Sequence, residues 1–362
     1  MDRPIRVLHF QGRMGKGGAE TFMMNTYRKI NREKIQFDFL IYNDHKDVTP
    51  YNEEIFKLKG RIFSVPNPKK NIVGYIIAIK KLLKEETFDI VHNQVFFGGG
   101  LNLYLAYKAN IKKRIAHSHA TTDGKNSAIL SLVRRPLDNL MFKYATDFLA
   151  CSTEAGKGLF GEDKSFVFVP NGIDLEIYRQ NSLKDIRKEL NIPEDALVLG
   201  NIGRFEEQKN HLFIIKVFKE LVIRHSNSHL ILIGEGSLQN QIKKLADDLG
   251  LSKSIHFLGL REDIPDLLKA IDIFFMPSLY EGLPISAIEA QASGCKLVLS
   301  DKVSKETCLS SNVQFINLDA PISFWVDRIL EKPFSNTPLP IMEKFNRENT
   351  AKIMQEIYLS KG

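Results

Sequence analysis

The 362 residues are 43% hydrophobic and 26% charged, a globular composition with enough chain for two domains and two cores. No apolar stretch approaches the length of a membrane span. The start, Met1-Asp-Arg-Pro-Ile-Arg6, leads into an apolar run too short for a signal peptide, and three scattered cysteines exclude a disulfide framework or zinc site, so a reducing cytoplasm is expected.

Taken in chain order, Ile5–Phe10 reads as a buried strand. The glycine loop Gly12-Arg-Met-Gly-Lys-Gly-Gly18 follows, and then a helix over about Ala19–Ile30. Phe37–Tyr42 is a second strand, and Ile72–Lys84 has helical periodicity with lysines on one face. Ile90–His92, Arg114–His119, Phe148–Ser152 and Phe166–Val169 read as further strands. The rhythm restarts after the turn Pro170-Asn-Gly-Ile-Asp174. Leu197–Gly203, Leu230–Ile233, Ile255–Leu258 and Ile271–Met276 are strands. They alternate with helices over His211–His225, Leu238–Leu249 and Ile264–Ala270, and Lys296–Ser300 ends the series. Short apolar strands alternating with longer periodic segments predict stacked βαβ units and parallel sheets. The fold class is therefore α/β, with two Rossmann-like halves. The expected domains are 1–170 and 171–342, with a last amphipathic helix over about Glu343–Leu359. Ligands of such sheets bind outside the carboxyl ends of the strands, so a cleft between the halves is the expected site.

Charge is unevenly placed within the net +7. Residues 1–170 carry 27 Lys and Arg against 17 Asp and Glu, and the remainder carries 23 against 26. A basic first half suits an anionic partner: a phosphorylated ligand, nucleic acid or an anionic membrane face. No aromatic-basic interleaving of the usual nucleic-acid modules is present, so nucleic acid is not expected.

The most informative stretch is Ser278-Leu-Tyr-Glu-Gly-Leu-Pro-Ile-Ser-Ala-Ile-Glu-Ala290. It reads as strand, glycine-proline loop and helix, with Glu281 at the strand tip and Glu289 about two turns along the helix. A carboxylate accepts two hydrogen bonds in a fork, which vicinal sugar hydroxyls offer. The amides of Leu283, Ile285 and Ser286 would face an anion at the helix N-terminus. One element could thus hold a sugar, a diphosphate and a ribose. Upstream, Gly200-Asn-Ile-Gly-Arg-Phe-Glu-Glu-Gln-Lys-Asn210 sends Arg204 and Lys209 from a strand tip. There they would stabilise the charge developing on a leaving diphosphate.

Two other motifs are weaker. The loop 12–18 is no P-loop, because Gly17 follows its Gly-Lys, and it lacks the third glycine and acid of a dinucleotide fingerprint. Gly17 and Gly18 still bring backbone N–H groups to a helix start. His117 and His119, two apart on a strand, point to one side and suit a hydrogen-bonding or charge-tuning role better than a metal site. No Asp-x-Asp pair occurs, so no metal and no cofactor are expected.

Together, Gly15–Glu20, Gly203–Lys209 and Glu281–Ala290 resemble the marks of glycosyltransferase family 4. Leu299-Ser-Asp301 and Phe315–Leu330 resemble its bacterial capsule and exopolysaccharide branch. The resemblance implies a GT-B fold and retaining transfer from a nucleotide sugar, here a UDP-sugar, with the final helix crossing back onto the first, acceptor-side domain. By the same resemblance, Arg204 and Lys209 would take the diphosphate, Glu281 the donor-sugar hydroxyls and Glu289 the ribose. Backbone of Gly282, Leu283, Pro284 and Ile285 would lie near sugar and phosphate. The family's first-domain histidine falls at His119 or His117, with His119 preferred. The implied partners are a nucleotide-sugar donor and a glycan or lipid-linked acceptor. For a lipid-linked acceptor, Lys80, Lys81 and Lys84, and separately Lys112, Lys113, Arg134 and Arg135, are expected to touch anionic lipid at the inner face of the membrane. A nucleotide-sugar 2-epimerase of the same fold is the alternative. A dinucleotide oxidoreductase is disfavoured by the missing fingerprint.

Overall fold

A computed structural model describes residues 3–15, 17–95, 98–119, 128–332 and 339–360, the side chains of 128–135 excepted. Lys16 of the glycine loop lies outside the described residues. The chain divides into two compact units, residues 1–173 with 344–362, and residues 174–343.

The first unit carries β1 (Ile5–Gly12), β2 (Ile35–Tyr42), β3 (Arg61–Val65), β4 (Ile90–Asn93), β5 (Lys113–Ser118), β6 (Asp147–Ala150) and β7 (Val167–Phe168). They form one parallel sheet in the order β3-β2-β1-β4-β5-β6-β7. The order reverses direction beside β1, so helices cover both faces and the strands are apolar almost throughout. Along β1 the side chains alternate. Val7 joins Phe22, Tyr27, Phe37 and Phe39 on one face. Leu8 and Phe10 join Leu40, Tyr75 and Ile79 on the other.

The second unit carries β8 (Leu197–Ile202), β9 (Ser228–Ile233), β10 (Ile255–Phe257), β11 (Ile273–Met276), β12 (Lys296–Ser300) and β13 (Val313–Ile316). These are also parallel, in the order β10-β9-β8-β11-β12-β13. One of its cores gathers Phe218, Phe275 and Trp325. Two strands go beyond the sequence reading. β3 was not foreseen, and β13 extends a series expected to end at Lys296–Ser300. Only a single 3₁₀ turn, Lys305–Thr307, separates β12 from β13. The strand-helix alternation that marks the other strands is broken there.

The last helix is Arg347–Leu359, shorter than the expected Glu343–Leu359 because a 3₁₀ segment, Pro340–Phe345, precedes it. Asn346 caps its start, its side-chain oxygen accepting from Glu348 N at 3.2 Å. Met354 and Tyr358 enter the first unit's core beside Tyr27 and Phe37. Its far end is held by Lys113. The ammonium donates to Ser360 O at 3.0 Å, to Ser360 Oγ at 2.6 Å and to the Ile357 carbonyl. A lysine on the last carbonyls satisfies groups a helix end leaves orphaned and complements its dipole.

This overturns the expectation that Lys113 reaches lipid. Its side chain is 7% exposed and committed to the final turn. Net charge along a sequence cannot distinguish a solvated lysine from one that caps a helix more than 200 residues away. Lys113→Ala is expected to lower stability by about 1.5–3 kcal/mol, the worth of hydrogen bonding from a charged donor to the part-buried carbonyls of the final turn. Thermal melting checks this, and an unchanged midpoint would contradict the docking role.

Candidate active site

In the second unit the site begins where β8 ends. Gly234 comes so close to Gly203, with φ +133°, that a Cβ there would lie 2.2 Å from Gly203 O. Arg204 then stands exposed. Phe205 turns inward and is fixed by its amide to Glu235 O at 3.0 Å and its carbonyl to Leu238 N at 2.9 Å. A 3₁₀ turn, Glu207–Lys209, leads to Asn210 in the left-handed region at φ 56°.

That turn is laced to the loop after β11. Leu279 N donates to Gln208 O at 2.8 Å, Gln208 Nε2 to Tyr280 O at 3.0 Å, and Asn210 Nδ2 to Pro277 O at 3.1 Å. The lacing brings Lys209 Nζ to 2.6 Å from Glu281 Oε1, with the two side chains only 15% and 10% exposed. Glu281 is held from its other side too. Its N–H donates to Lys302 O at 3.1 Å, and its carbonyl accepts from Ser304 N at 3.0 Å. Glu281 therefore lies past the strand tip, in a short bridge with Val303. An ammonium has three donors and a carboxylate about four acceptor positions. Each partner keeps hydrogen-bonding capacity beyond the pair.

The helix Ile285–Ser293 follows, with Pro284 at its cap position and no side-chain cap. Its first N–H groups thus lack an intrahelical partner, and Leu283 and Pro284 are buried behind them. Glu289 is the fifth residue of this helix, so it sits little more than one turn in, short of the expected two. Its Oε1 accepts from the Tyr178 hydroxyl at 2.6 Å. Burial pushes the Glu289 carboxyl above its ordinary range against the opposing effect of that hydroxyl. One oxygen is thereby anchored.

In the first unit, Gly17 and Gly18 are exposed at the start of the helix Gly18–Lys29. Glu20 stands in that first turn, buried. Burial raises its pKa, while hydrogen bonds from its own N–H, the Gln11 side chain and the Gly15 backbone lower it. One of these donors, the Gly15 backbone, belongs to the glycine loop itself. His117 and His119 fall in one row with His9 and His92, and their rings are 4.0 Å apart between centroids. His119 Nε2 meets Gln94 Oε1 at 2.5 Å. Burial pushes the His119 imidazole down to about 4, with Asn171 opposing. It is half-buried, whereas His117 is 1% exposed.

Several residues escaped the sequence reading. Tyr178, Gln94 and Tyr358 belong to no motif, and only the fold brings them to Glu289, His119 and His92. Glu20 closes the quoted glycine motif, and its place in a first helical turn was the available signal. His211 was read only as a helix start. It is 2% exposed, stacked on Phe205 at 4.2 Å, and neither ring nitrogen has a partner among the described residues.

The family model described as "Glycosyltransferase Family 4" matches residues 16–177, and that described as "Glycosyl transferases group 1" matches residues 183–310. EpsF of Bacillus subtilis (strain 168), a glycosyltransferase by name, is 36% identical over 362 residues, 96% of this chain and 92% of its own. The UDP-Gal:alpha-D-GlcNAc-diphosphoundecaprenol alpha-1,3-galactosyltransferase of Escherichia coli is 28% identical over 98% of this chain and 97% of its own. The capsular polysaccharide biosynthesis glycosyltransferase CapH of Staphylococcus aureus is 28% identical over 99% of each. Among solved structures, Anabaena HepE in complex with UDP superposes with a TM-score of 0.71 at 16% identity, covering 99% of this chain and 96% of its own. WaaG, a glycosyltransferase involved in lipopolysaccharide biosynthesis, gives 0.70 at 14% identity over 99% and 100%. These likenesses and the two parallel sheets establish the GT-B architecture of two Rossmann-like domains. They do not favour the epimerase. The chain belongs to glycosyltransferase family 4, in its capsule and exopolysaccharide branch, and is a glycosyltransferase.

Proposed function

We propose that the enzyme moves a hexose from a UDP-sugar to a lipid-linked glycan acceptor, with retention of configuration and without a metal ion. The observation that carries this reading is the Lys209–Glu281 pair, a cation and a carboxylate held together beside an uncapped helix N-terminus. The donor would lie on residues 174–343. Its diphosphate would sit on Arg204, Lys209 and the amides near Ile285, its sugar hydroxyls on Glu281 and its ribose on Glu289. His119 and His117, with Gly17 and Gly18, would serve the first unit's side of the reaction. The E. coli relative's name specifies a UDP-sugar and a diphosphoundecaprenol acceptor, which supports the UDP and lipid-linked parts of the reading.

As the sugar–phosphate bond stretches, the anomeric carbon becomes cationic and the diphosphate gains charge. Arg204 and Lys209 stabilise that charge in place of a metal. The acceptor hydroxyl attacks from the face the diphosphate leaves, and a phosphate oxygen takes its proton. The protein's contribution is then positioning and electrostatics. Incubation with UDP-hexoses and a polyprenyl-diphosphate sugar acceptor in excess chelator tests all parts at once. The expected product is an α-linked disaccharide lipid from an α-configured donor, read by NMR. A β-linked product would contradict retention, abolition by chelator would contradict metal independence, and a new nucleotide sugar formed without acceptor would restore the epimerase.

A lipid-linked acceptor calls for access to a membrane, and no helix among the described residues is long and apolar enough to cross one. The helix Ile72–Glu85 offers attachment to its inner face instead. Tyr75, Ile79 and Leu83 are buried, while Val73 and Ile77 are 64% and 63% exposed on a side that also presents Lys80, Lys81 and Lys84. An apolar edge bordered by lysines suits an anionic bilayer surface. The side chains of Arg134 and Arg135 lie outside the described residues. Ile77→Glu combined with Lys80→Glu and Lys81→Glu is expected to abolish co-sedimentation with anionic vesicles at low salt. Equal sedimentation of variant and wild type would remove this surface from the account.

A further inference from the structure

Four histidines line up across the first sheet. His9 and His92 are register partners on β1 and β4, His117 lies on β5, and His119 follows it. Their ring centroids are 4.9 Å (His9–His92), 5.2 Å (His92–His117) and 4.0 Å (His117–His119) apart. His9, His92 and His117 are at most 1% exposed. Burial, followed by mutual repulsion, holds His92 and His117 far below the ordinary imidazole pKa, so both rings are neutral. A neutral imidazole has one N–H and one lone pair, and its partners decide which nitrogen carries the proton.

The partners run in a line. Tyr358, on the final helix, has its hydroxyl 2.7 Å from His92 Nδ1. His92 Nε2 is 3.1 Å from His117 Nδ1. His117 Nε2 is buried without a partner among the described residues. Two polarities satisfy the inner bonds. In one, Tyr358 donates to His92 Nδ1, His92 Nε2–H donates to His117 Nδ1, and His117 carries its proton on Nε2. In the other, every bond is reversed. His117 Nε2 is then a bare lone pair, and the Tyr358 proton has no acceptor among the described residues. Tyr358 is 2% exposed and burial holds its pKa far up, so that proton stays in place. The reversed row leaves one more buried polar group unsatisfied, a penalty of about 1–3 kcal/mol.

We infer that Tyr358, through His92, fixes His117 with its proton on Nε2, making this final-helix tyrosine a positioning residue for the first unit's histidine pair, His117 and His119. The inference rests on the proposed function only in taking that pair to serve the reaction. The row ties this choice to the docking of the final helix, whose last turn Lys113 holds.

The test is the tautomeric state of His117 in the full chain labelled with ¹⁵N-histidine, read without substrate from two-bond ¹H–¹⁵N correlations. The expected spectrum has a protonated Nε2 and a bare Nδ1 at His117, and Tyr358→Phe turns this single species into a mixture. A bare Nε2 in the wild type would overturn the inference. So would a single unchanged tautomer in Tyr358→Phe. If that variant does not fold, the wild-type spectrum alone still decides the polarity. In a folded variant with a mixed His117, kcat should fall roughly 5- to 10-fold, the worth of one hydrogen bond, with little change in donor KM. Full turnover with a mixed tautomer would remove Tyr358 from the reaction. The spectra are independent of which donor the enzyme uses, so their failure is distinguishable from failure of the UDP-sugar reading.

Discussion

Replacing Lys209 by alanine is expected to lower turnover by about 10²- to 10³-fold, the usual effect of removing one group aimed at developing charge. The structure adds a second consequence that the residue's motif does not convey. Lys209 is the ionic partner of Glu281 at 2.6 Å, and both side chains are largely buried. Removing the cation leaves a carboxylate without its counter-charge, which should cost about 2–4 kcal/mol of stability. Lower activity alone would therefore be ambiguous. The double variant Lys209→Ala with Glu281→Gln separates the effects, because a neutral amide in place of the carboxylate removes the unpaired charge. Thermal melting should recover most of the loss while turnover stays low. Recovery of turnover together with stability would mean that neither Lys209 nor Glu281 serves the reaction.

Glu289→Gln is expected to act in opposite directions on stability and on binding. In the folded chain, burial raises the Glu289 pKa despite the hydrogen bond from Tyr178. The folded state then binds this proton more tightly than the unfolded state. The group's contribution to stability is full below the unfolded-state pKa, and it is lost as pH rises through the folded one. At neutral pH the wild type carries that loss. Glutamine keeps an oxygen to accept from Tyr178 and has no charge to bury, so the ligand-free variant should melt higher at neutral pH. The gain should shrink as the medium becomes acidic. If the remaining carboxylate oxygen holds a ribose hydroxyl, the same variant should bind UDP more weakly by about 10- to 100-fold, from loss of a charged hydrogen bond worth roughly 1.5–3 kcal/mol. Melting curves across pH and calorimetric titration with UDP read the two effects separately. Unaltered affinity would exclude the ribose role, and a lower melting point at neutral pH would contradict the account of burial.

Much of the fold was legible because both units repeat one rhythm of apolar strand and amphipathic helix. The helix Ile72–Glu85 differs from its sequence reading by a single residue at one end. β3 was missed because Arg61-Ile-Phe-Ser-Val65 is short and mostly half-buried, with weak alternation. β13 was missed because no helix precedes it. For the site, sequence identified Lys209 and Glu281 separately but not their contact. The contact depends on backbone and amide hydrogen bonds between Gln208–Asn210 and Pro277–Tyr280, and backbone donors leave no mark on a sequence. Tyr178 and Tyr358 were illegible for a related reason. An isolated tyrosine reads as ordinary core until the fold places its hydroxyl against Glu289 or His92. Lys113 was misread because charge counting locates cations without saying what encloses them.

The most direct measurement is a crystal structure with UDP bound. The expected complex has the diphosphate within hydrogen-bonding distance of Arg204, Lys209 and the first amides of the helix Ile285–Ser293, and the ribose on the carboxylate of Glu289. A nucleotide bound elsewhere, with Lys209 and Glu281 still paired only to each other, would contradict the assignment of this loop and helix to the donor.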